Sequence, residues 1–200
     1  MGHRTFTGSL VRSECLSCDG GPMSATNDIT VRPLGEDDWQ DYRSVRLAAL
    51  RESPEAFAAT LEQEEAYDQD FWRQRMLRSA RLVAERAGDA VGVVSVGAAK
   101  GSEDAAGELF GLWVRPEARG SGVATRLVKD GASLAAERGH SHLVYWVGTD
   151  NGRAVAFASG MGFRPTDYRR PMGVVSEEDG EEEIAMVLPL GADNGPLLRL

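Results

Sequence analysis

The hydrophobic positions of the chain follow two alternating patterns. Short apolar runs rich in β-branched residues are separated by longer stretches in which apolar side chains recur every three or four positions. The short runs are typical of strands, and the longer stretches are typical of amphipathic helices. In chain order they predict a strand, two helices, three strands, a helix, a strand, a helix and two strands. This alternation, without an internal repeat, indicates an α/β domain.

Turn and cap residues limit the predicted elements. The seven strands are predicted at residues 29–33, 81–87, 90–98, 109–114, 142–147, 163–168 and 184–188. The helical regions are predicted at residues 39–50, 57–77, 123–135 and 151–161. Pro54 stops the first helical region, the second breaks near Tyr67, and Gly139 stops the third. Residues 100–107, rich in glycine, serine and acidic residues, are predicted to form a loop.

The same patterns divide the chain into three parts. A single domain is predicted over residues 27–191, preceded by a polar, glycine-rich leader or tag at residues 1–26. Residues 192–200 are predicted to be a C-terminal tail. Met23 lies just before the first strand, so it is an alternative native start.

Composition narrows the class of partner. The 200 residues, 42% of them apolar, fit one domain with a substantial core. The formal net charge of -9 repels nucleic acid and anionic membrane surfaces and favours a cationic or neutral partner. The sequence has neither an apolar run long enough to span a membrane nor the apolar core of a signal peptide, so a cytoplasmic location is expected.

The cysteine and histidine residues do not predict a metal site. Cys15 and Cys18 have C-x-x-C spacing inside the leader, but zinc would need two further ligands, so an unstructured tail is favoured. His140 and His142 lack a carboxylate partner nearby in the sequence. We therefore expect no metal cofactor.

A glycine-rich segment joins the fourth strand to the third helical region. Backbone N–H groups at the start of a helix are unpaired, and the positive end of the helix dipole favours an anion there. Gly120 and Gly122 would let a phosphate approach the backbone, and Arg119 would add a cation at the rim. The chain lacks G-x-x-x-x-G-K-[ST] and also lacks G-x-G-x-x-G in a first βαβ unit, which disfavours nucleoside triphosphates and dinucleotides.

Two motifs resemble those of the GNAT acyl-CoA N-acyltransferases. The family signature Arg/Gln-x-x-Gly-x-Gly/Ala matches residues 119–124, and the second marker matches Asn151-x-x-Ala154 followed by Gly162-Phe163. The resemblance covers about residues 29–190. It implies a mixed, mostly antiparallel seven-stranded sheet that splays open between strands 4 and 5, with about four helices. It also implies acetyl-CoA as co-substrate and, since family members are often dimers, a homodimer.

The resemblance assigns the cofactor contacts by position. The amides implied to hold the pyrophosphate are those of Arg119, Gly120, Ser121, Gly122, Val123 and Ala124. The backbone of Leu112 and Val114 would pair with the pantetheine arm, and one of these amides would stabilise the oxyanion. Asn151, together with Ala154 of the same motif, would hold the arm from the other side. Trp113, between the two pairing residues, would then border the cofactor.

Catalytic residues are less well defined by the resemblance. In the histone-modifying branch a glutamate at the position of Glu108 is the general base, although a solvent-facing strand-edge residue is an equal alternative. Many members protonate the leaving thiolate with a tyrosine at the position that Ala158 occupies here. Tyr145, Tyr168 or a water could replace it, although Tyr145 could equally belong to the core. Trp113 and Trp146 could line the acyl tunnel, but core packing is favoured for at least one of them.

The resemblance predicts an N-acetyltransferase that acts on a primary amine, with a small-molecule acceptor favoured. Residues 54–71 would lie over the acceptor side, and the acidic run at residues 176–183 would border its entrance. That run would attract a cationic amine, although a solvated loop is the simpler interpretation. Two alternatives stay open: acetylation of a protein N-terminus or lysine, and a non-catalytic module that binds acyl-CoA.

Overall fold

One seven-stranded sheet organises the protein. The computed structural model describes residues 28–99, 106–172 and 182–191, and within these ranges five α-helices accompany the sheet. The strands are β1 (Thr30–Leu34), β2 (Ala80–Arg86), β3 (Asp89–Ala98), β4 (Ala106–Val114), β5 (His142–Gly148), β6 (Arg164–Pro171) and β7 (Glu182–Pro189). The helices are α1 (Trp39–Glu52), α2 (Leu61–Glu65), α3 (Gln69–Arg78), α4 (Val123–Glu137) and α5 (Gly152–Gly160).

The strand order confirms the mixed sheet expected from the resemblance. The order across the sheet is β1-β2-β3-β4-β5-β7-β6, so the last strand inserts between the fifth and the sixth. Every neighbouring pair is antiparallel except β4 and β5, which are parallel. A parallel pair needs a crossover, and α4 provides it between β4 and β5.

Five helices replace the predicted four, because the second helical region is two helices. Asp68 begins α3, since its side-chain oxygen accepts a hydrogen bond from the Phe71 N–H at 2.8 Å. Thr60 caps α2 in the same way, accepting from Gln63 N–H at 3.2 Å. The predicted break near Tyr67 is therefore correct, and its consequence is a separate short helix.

Strand ends differ from the prediction where small or charged residues are paired. β4 begins at Ala106, inside the predicted loop 100–107, because its first residues pair with β3 on one edge and β5 on the other. β6 and β7 extend past their predicted ends, where Arg170 pairs with Glu183. Alanine, glycine, arginine and glutamate carry weak strand propensity, so the pairing partners decide these ends.

Two apolar layers enclose the central strands. One lies between the sheet and helices α4 and α5 and includes Val96, Leu127 and Leu143. The other lies between the sheet and helices α1 and α3 and includes Leu50 and Trp72. Both faces of β3 are therefore buried over most of its length, which explains its nearly continuous apolar sequence.

A glycine on β3 allows α4 to lie close to the sheet. A Cβ at Gly92 would lie 2.9 Å from Val123 Cγ1 and 3.0 Å from Leu127 Cδ1, so any larger residue would push the helix away. Val123 is the first residue of α4. The N-terminal turn of α4 is thus fixed against the sheet beside the end of β4.

A bulge interrupts β4. Ser95 pairs with Phe110 and Val93 with Trp113, so β4 has one more residue than β3 over this interval. The extra residue lies near Gly111, whose φ of 62° is in the left-handed region that favours glycine. The bulge changes which side chains of β4 face each layer.

The face change keeps apolar residues buried on both sides of the bulge. Leu109 and Val114 both pack in the α4 layer, although they are five positions apart along the strand. Trp113 consequently packs in the opposite layer, under α1 and α3. In a regular strand without a bulge, two residues five positions apart would lie on opposite faces.

β4 and β5 separate halfway along their length. They pair only from Ala106 with His142 to Leu109 with Tyr145. After that, residues 110–114 pair with β3 alone and residues 146–148 with β7 alone. The splay expected between the fourth and fifth strands is therefore present, and it opens at the bulge.

A buried carboxylate joins the three helices on one face. Glu64 on α2 is 0% exposed and accepts hydrogen bonds from Arg46 of α1 and Arg75 of α3, each through two nitrogens. Burial raises the pKa of the Glu64 carboxyl, but hydrogen bonds from the two arginines outweigh it and hold the pKa below its ordinary value of 4.5. The stabilisation is thus present above the unfolded-state pKa and is lost as the pH falls through the folded-state pKa.

We expect Glu64→Gln to lower the free energy of unfolding at pH 7 by about 3 kcal/mol, because two partly buried guanidinium groups lose their fully buried counter-charge. Urea denaturation measures this. Glu65→Gln is the matched control, since Glu65 is next on α2 and pairs with Arg51 at the surface; its effect should stay below about 1 kcal/mol. The difference between wild type and Glu64→Gln should shrink below pH 4.5. Equal losses in both variants, or a pH-independent loss, would contradict this interpretation.

Candidate functional site

The glycine-rich turn between β4 and α4 has two residues in left-handed conformations. Gly120 has a φ of 77° and Gly122, the N-cap of α4, has a φ of 89°. A Cβ at either position would meet no atom within 4 Å. Backbone conformation, and not lack of space, therefore requires glycine here, and the space beside the turn is open.

Several N–H groups of this turn have no partner among the residues that the structure describes. The N–H groups of Gly120, Gly122, Val123 and Ala124 make no hydrogen bond with any other residue in the described parts of the chain. They lie at the N-terminus of the 15-residue helix α4, where the dipole adds positive potential. The arrangement suits an anion with several oxygens.

Two side chains fix the turn in place. The Ser121 hydroxyl donates to the Ala118 carbonyl and accepts from Arg86 Nη2, both at 2.6 Å. Arg119 donates from Nε to the Val114 carbonyl at 3.0 Å and from Nη2 to Ser53 Oγ at 3.3 Å. Arg119, expected to add a cation at the rim, ties the turn to β4 and to the end of α1.

The edge of β4 that faces the splay has polar backbone groups. Arg115 N–H donates to the Val91 carbonyl of β3 at 2.9 Å. Since successive residues of a strand direct their peptide groups to opposite edges, those of Val114 and Leu112 face the splay. Arg119 uses the Val114 carbonyl, as described above. The backbone of both residues therefore lies along the opening.

The second motif starts α5 on the β5 side. Asn151 caps this helix, because its Oδ1 accepts from the Ala154 N–H at 3.0 Å. Within the described residues the Asn151 side-chain NH2 has no hydrogen-bond partner, so it is available as a donor. Ala158, at the position of the family tyrosine, is 1% exposed and lies in the main core.

Glu108 lies on the sheet face opposite α4. It stands at the start of β4, paired with Gly97 and Val144, and its side chain is 17% exposed. Arg170 Nη2 lies 3.7 Å from Glu108 Oε1, and Arg170 Nε lies 2.7 Å from Glu183 Oε2. Glu108 is thus a recessed carboxylate within an ion-paired group, and not an isolated strand-edge residue.

Tyr145 lies where β4 and β5 separate. It is paired with Leu109, the last residue of β4 that contacts β5 in the sheet, and its ring meets Phe163 edge-on at 6.1 Å. Burial, and secondarily the charge of Glu183, raises the pKa of Tyr145 above its ordinary value of 10.0. The hydroxyl therefore stays protonated at neutral pH. Its ring is packed against the α4 and α5 layer.

The two tryptophans predicted near the cofactor have different surroundings. Trp113 is 4% exposed and packs under α1 and α3, and its Nε1 finds no acceptor among the described residues. Trp146 is half-buried on the face that also carries Glu108. The Arg170 guanidinium carbon lies 4.2 Å from the centroid of the Trp146 ring. Core packing is confirmed for Trp113.

The structure brings the predicted residues to three places around one opening. The turn at residues 119–124 and the edge of β4 lie together, Asn151 starts the helix beyond β5, and Glu108 lies on one face of the sheet. Arg170 was not predicted as a partner of Glu108, because no sequence pattern indicates that a side chain of the sixth strand reaches the fourth. Ser53 and Arg86 were not predicted either, since they contact the turn only in the folded chain.

Some predictions fall outside these residues. Cys15 and Cys18, the start of the acidic run at residue 176, and the tail lie outside the described residues; Glu182 and Glu183 of that run belong to β7. Within the described ranges, no group of three or more histidine, cysteine or acidic side chains could hold a metal ion. None of the helices in those ranges has both the length and the apolar character of a membrane span.

Comparison with known proteins agrees with this geometry. The model of the acetyltransferase (GNAT) family matches residues 44–163. An uncharacterised N-acetyltransferase of Archaeoglobus fulgidus is 30% identical over 144 residues, which cover 70% of this chain and 93% of that protein. Another, of Methanocaldococcus jannaschii, is 25% identical over 164 residues, which cover 78% of this chain and 72% of that protein.

A solved structure supports the fold. The protein yncA of Salmonella typhimurium, solved with its cofactor acetyl-CoA, aligns with a TM-score of 0.65 at 20% identity and covers 84% of this chain and 98% of its own. The family model spans more than half of the chain and includes both motifs, the glycine-rich turn and the start of α5. The chain belongs to the GNAT family of acetyltransferases.

Proposed function

We propose that the protein transfers the acetyl group of acetyl-CoA to a primary amine of a small molecule while both substrates are bound. The observation that carries this proposal is the row of unpaired N–H groups at the start of α4 beside an open splay, with a recessed carboxylate on the sheet. The N–H groups are thus complementary to an anionic cofactor, and the carboxylate is complementary to an amine. Because only 17% of the Glu108 side chain is exposed, a slender alkyl amine fits better than a bulky one.

The cofactor's pyrophosphate would bind the N–H groups of residues 119–124, and its pantetheine arm would enter the splay. There the peptide groups of Leu112 and Val114 act as a strand partner for the arm, and Trp113 supports this stretch of β4 from the layer beneath it. Asn151, held by its bond to Ala154, offers its NH2 group from the other side. The thioester carbonyl would then receive a hydrogen bond from an N–H of β4.

The reaction requires the acceptor to lose protons. An alkyl amine is mostly protonated at neutral pH, so Glu108, directly or through water, takes one proton from the ammonium. The neutral nitrogen forms a bond to the acetyl carbon, and the carbon–sulfur bond then breaks. The nitrogen loses a second proton, the CoA thiolate takes up one, and one proton is released to solvent overall.

Tyr145 is the proposed donor to the thiolate. Its hydroxyl carries a proton at neutral pH, and burial raises its pKa further above the ordinary value of 10.0. It also lies at the residue where β4 and β5 separate, the inner end of the splay. Tyr168, partly exposed on β6, is the alternative donor.

Gly122→Glu should raise the Kd for acetyl-CoA at least about tenfold, because it places a negative charge beside the proposed pyrophosphate position. Gly139→Glu is the matched control. Gly139 follows the other end of α4, has a φ of 83° and also has no atom within 4 Å of a Cβ, so it adds the same charge at a similar backbone cost. Calorimetric titration measures both. Equal affinities in the two variants would place the pyrophosphate elsewhere.

Release of free CoA thiol from acetyl-CoA should depend on an added primary amine. Pooled amines, including polyamines, aminoglycosides, amino acids and short peptides, identify the acceptor class when the active pool is divided. Glu108→Gln should lower kcat by roughly 100-fold with little change in the KM for acetyl-CoA. If acetyl-CoA binds but no pool releases thiol, the non-catalytic binding module becomes the better interpretation. Activity confined to peptides would favour a protein acceptor.

Tyr145→Phe should lower kcat by about tenfold, a modest effect because a thiolate leaves readily without a donor. Tyr168→Phe should leave kcat unchanged. Steady-state kinetics at saturating acetyl-CoA separates the two, with circular dichroism as the check on folding. The opposite result would transfer the role of proton donor to Tyr168.

A further inference from the structure

Four strands contribute to one cation-binding arrangement on the face that carries Glu108. The Arg170 guanidinium of β6 lies 2.7 Å from Glu183 Oε2 of β7 and 3.7 Å from Glu108 Oε1 of β4. It also lies 4.2 Å from the ring centroid of Trp146 on β5. Two carboxylates and the face of an indole ring thus surround one cation. We call Glu108, Glu183 and Trp146 the cation site.

Ordinary strand pairing explains only part of this arrangement. Arg170 and Glu183 are direct partners in the β6–β7 register, where such an ion pair is common. Glu108, however, lies beyond β7 and β5, so Arg170 extends across the sheet face to approach it. The Arg170 side chain is nevertheless 45% exposed. Solvent therefore reaches the Arg170 side chain, and an incoming cation can compete with it for the two carboxylates.

The chemistry of the site matches that of the acceptor. A primary amine arrives as an ammonium group, which carboxylates and the face of a tryptophan both attract. Glu108, the proposed base, is one of the two carboxylates. We propose that the acceptor's ammonium binds at the cation site by displacing Arg170, which occupies the site in the absence of substrate. This inference rests on the proposed function.

The same site excludes one class of amine. Because two carboxylates line it, a carboxylate next to the acceptor's amino group would be repelled. Acceptors are thus alkyl amines without an α-carboxylate, and not free α-amino acids. Arg170 competes with the ammonium for the same two carboxylates, so removing it should strengthen amine binding.

The test is calorimetric titration of the acetyl-CoA-free protein with butylamine and with norvaline, which is butylamine with an added α-carboxylate. Arg170→Gln should bind butylamine about tenfold more tightly than wild type, and neither protein should bind norvaline comparably. Arg169→Gln is the matched control, since Arg169 is adjacent on β6 and its side chain alternates to the other face. Its affinity should equal that of wild type.

Two further variants keep the test decisive. Arg170→Lys retains a cation and should bind butylamine as wild type does, which controls for loss of the strand pair. Adding Trp146→Leu to Arg170→Gln should remove most of the expected increase in butylamine affinity, because the aromatic face is lost. Unchanged or weaker butylamine binding by folded Arg170→Gln would overturn the inference, as would equal binding of norvaline.

Steady-state kinetics with an active amine distinguish this inference from the proposed function. Under the inference, Arg170→Gln lowers the KM for an active amine without lowering kcat, whereas a residue that only positions Glu108 would lower kcat when removed. Tighter butylamine binding by Arg170→Gln without thiol release from any amine would refute the proposed transferase and retain the site. Normal transfer with unchanged amine affinity and KM would refute the site alone.

Discussion

The limited pairing of β4 is the constraint on which the rest of the structure depends. β4 pairs on both edges only as far as Leu109, and at the next positions an extra residue near Gly111 changes the face of every following side chain. A strand that continued without the bulge would either stay paired with β5 or bury the wrong side chains. The bulge instead frees one edge of β4 while Val114 and Trp113 remain packed on opposite faces. Both the splay and the packing of β4 in the core thus depend on the bulge.

Helix α4 follows directly from that geometry. Because β5 is parallel to β4, the chain must cross over, and the crossover helix starts where β4 ends. Gly92 lets the first turn of this helix rest against β3, and Arg119 and Ser121 tie the turn to β4, α1 and β2. The unpaired amides are therefore held beside the free edge of β4. Their position is part of the fold and needs no rearrangement before an anion binds.

Features that depend on neighbouring residues could be predicted well from the sequence, whereas contacts between distant strands could not. All seven predicted strands are present, and residues 119–124 and Asn151 were singled out because each belongs to a short motif of neighbouring residues. The bulge was not predicted, since Gly111 lies within an apolar run that looks like an uninterrupted strand. The Glu64 group and the approach of Arg170 to Glu108 were also missed, because each joins elements that only the folded chain brings together.

The distance between the glycine-rich turn and the carboxylates explains how a chain with a net charge of -9 can suit an anionic cofactor. Uncharged backbone amides and a helix dipole form the proposed anion site, with the Arg86 and Arg119 side chains engaged beside it. The carboxylates of Glu108 and Glu183 lie on β4 and β7, near the opposite end of the opening. Roughly 20 Å of strand separates Glu108 from the turn, about two Debye lengths at physiological salt. An anion at one end and an ammonium at the other can therefore bind without each site weakening the other's ligand.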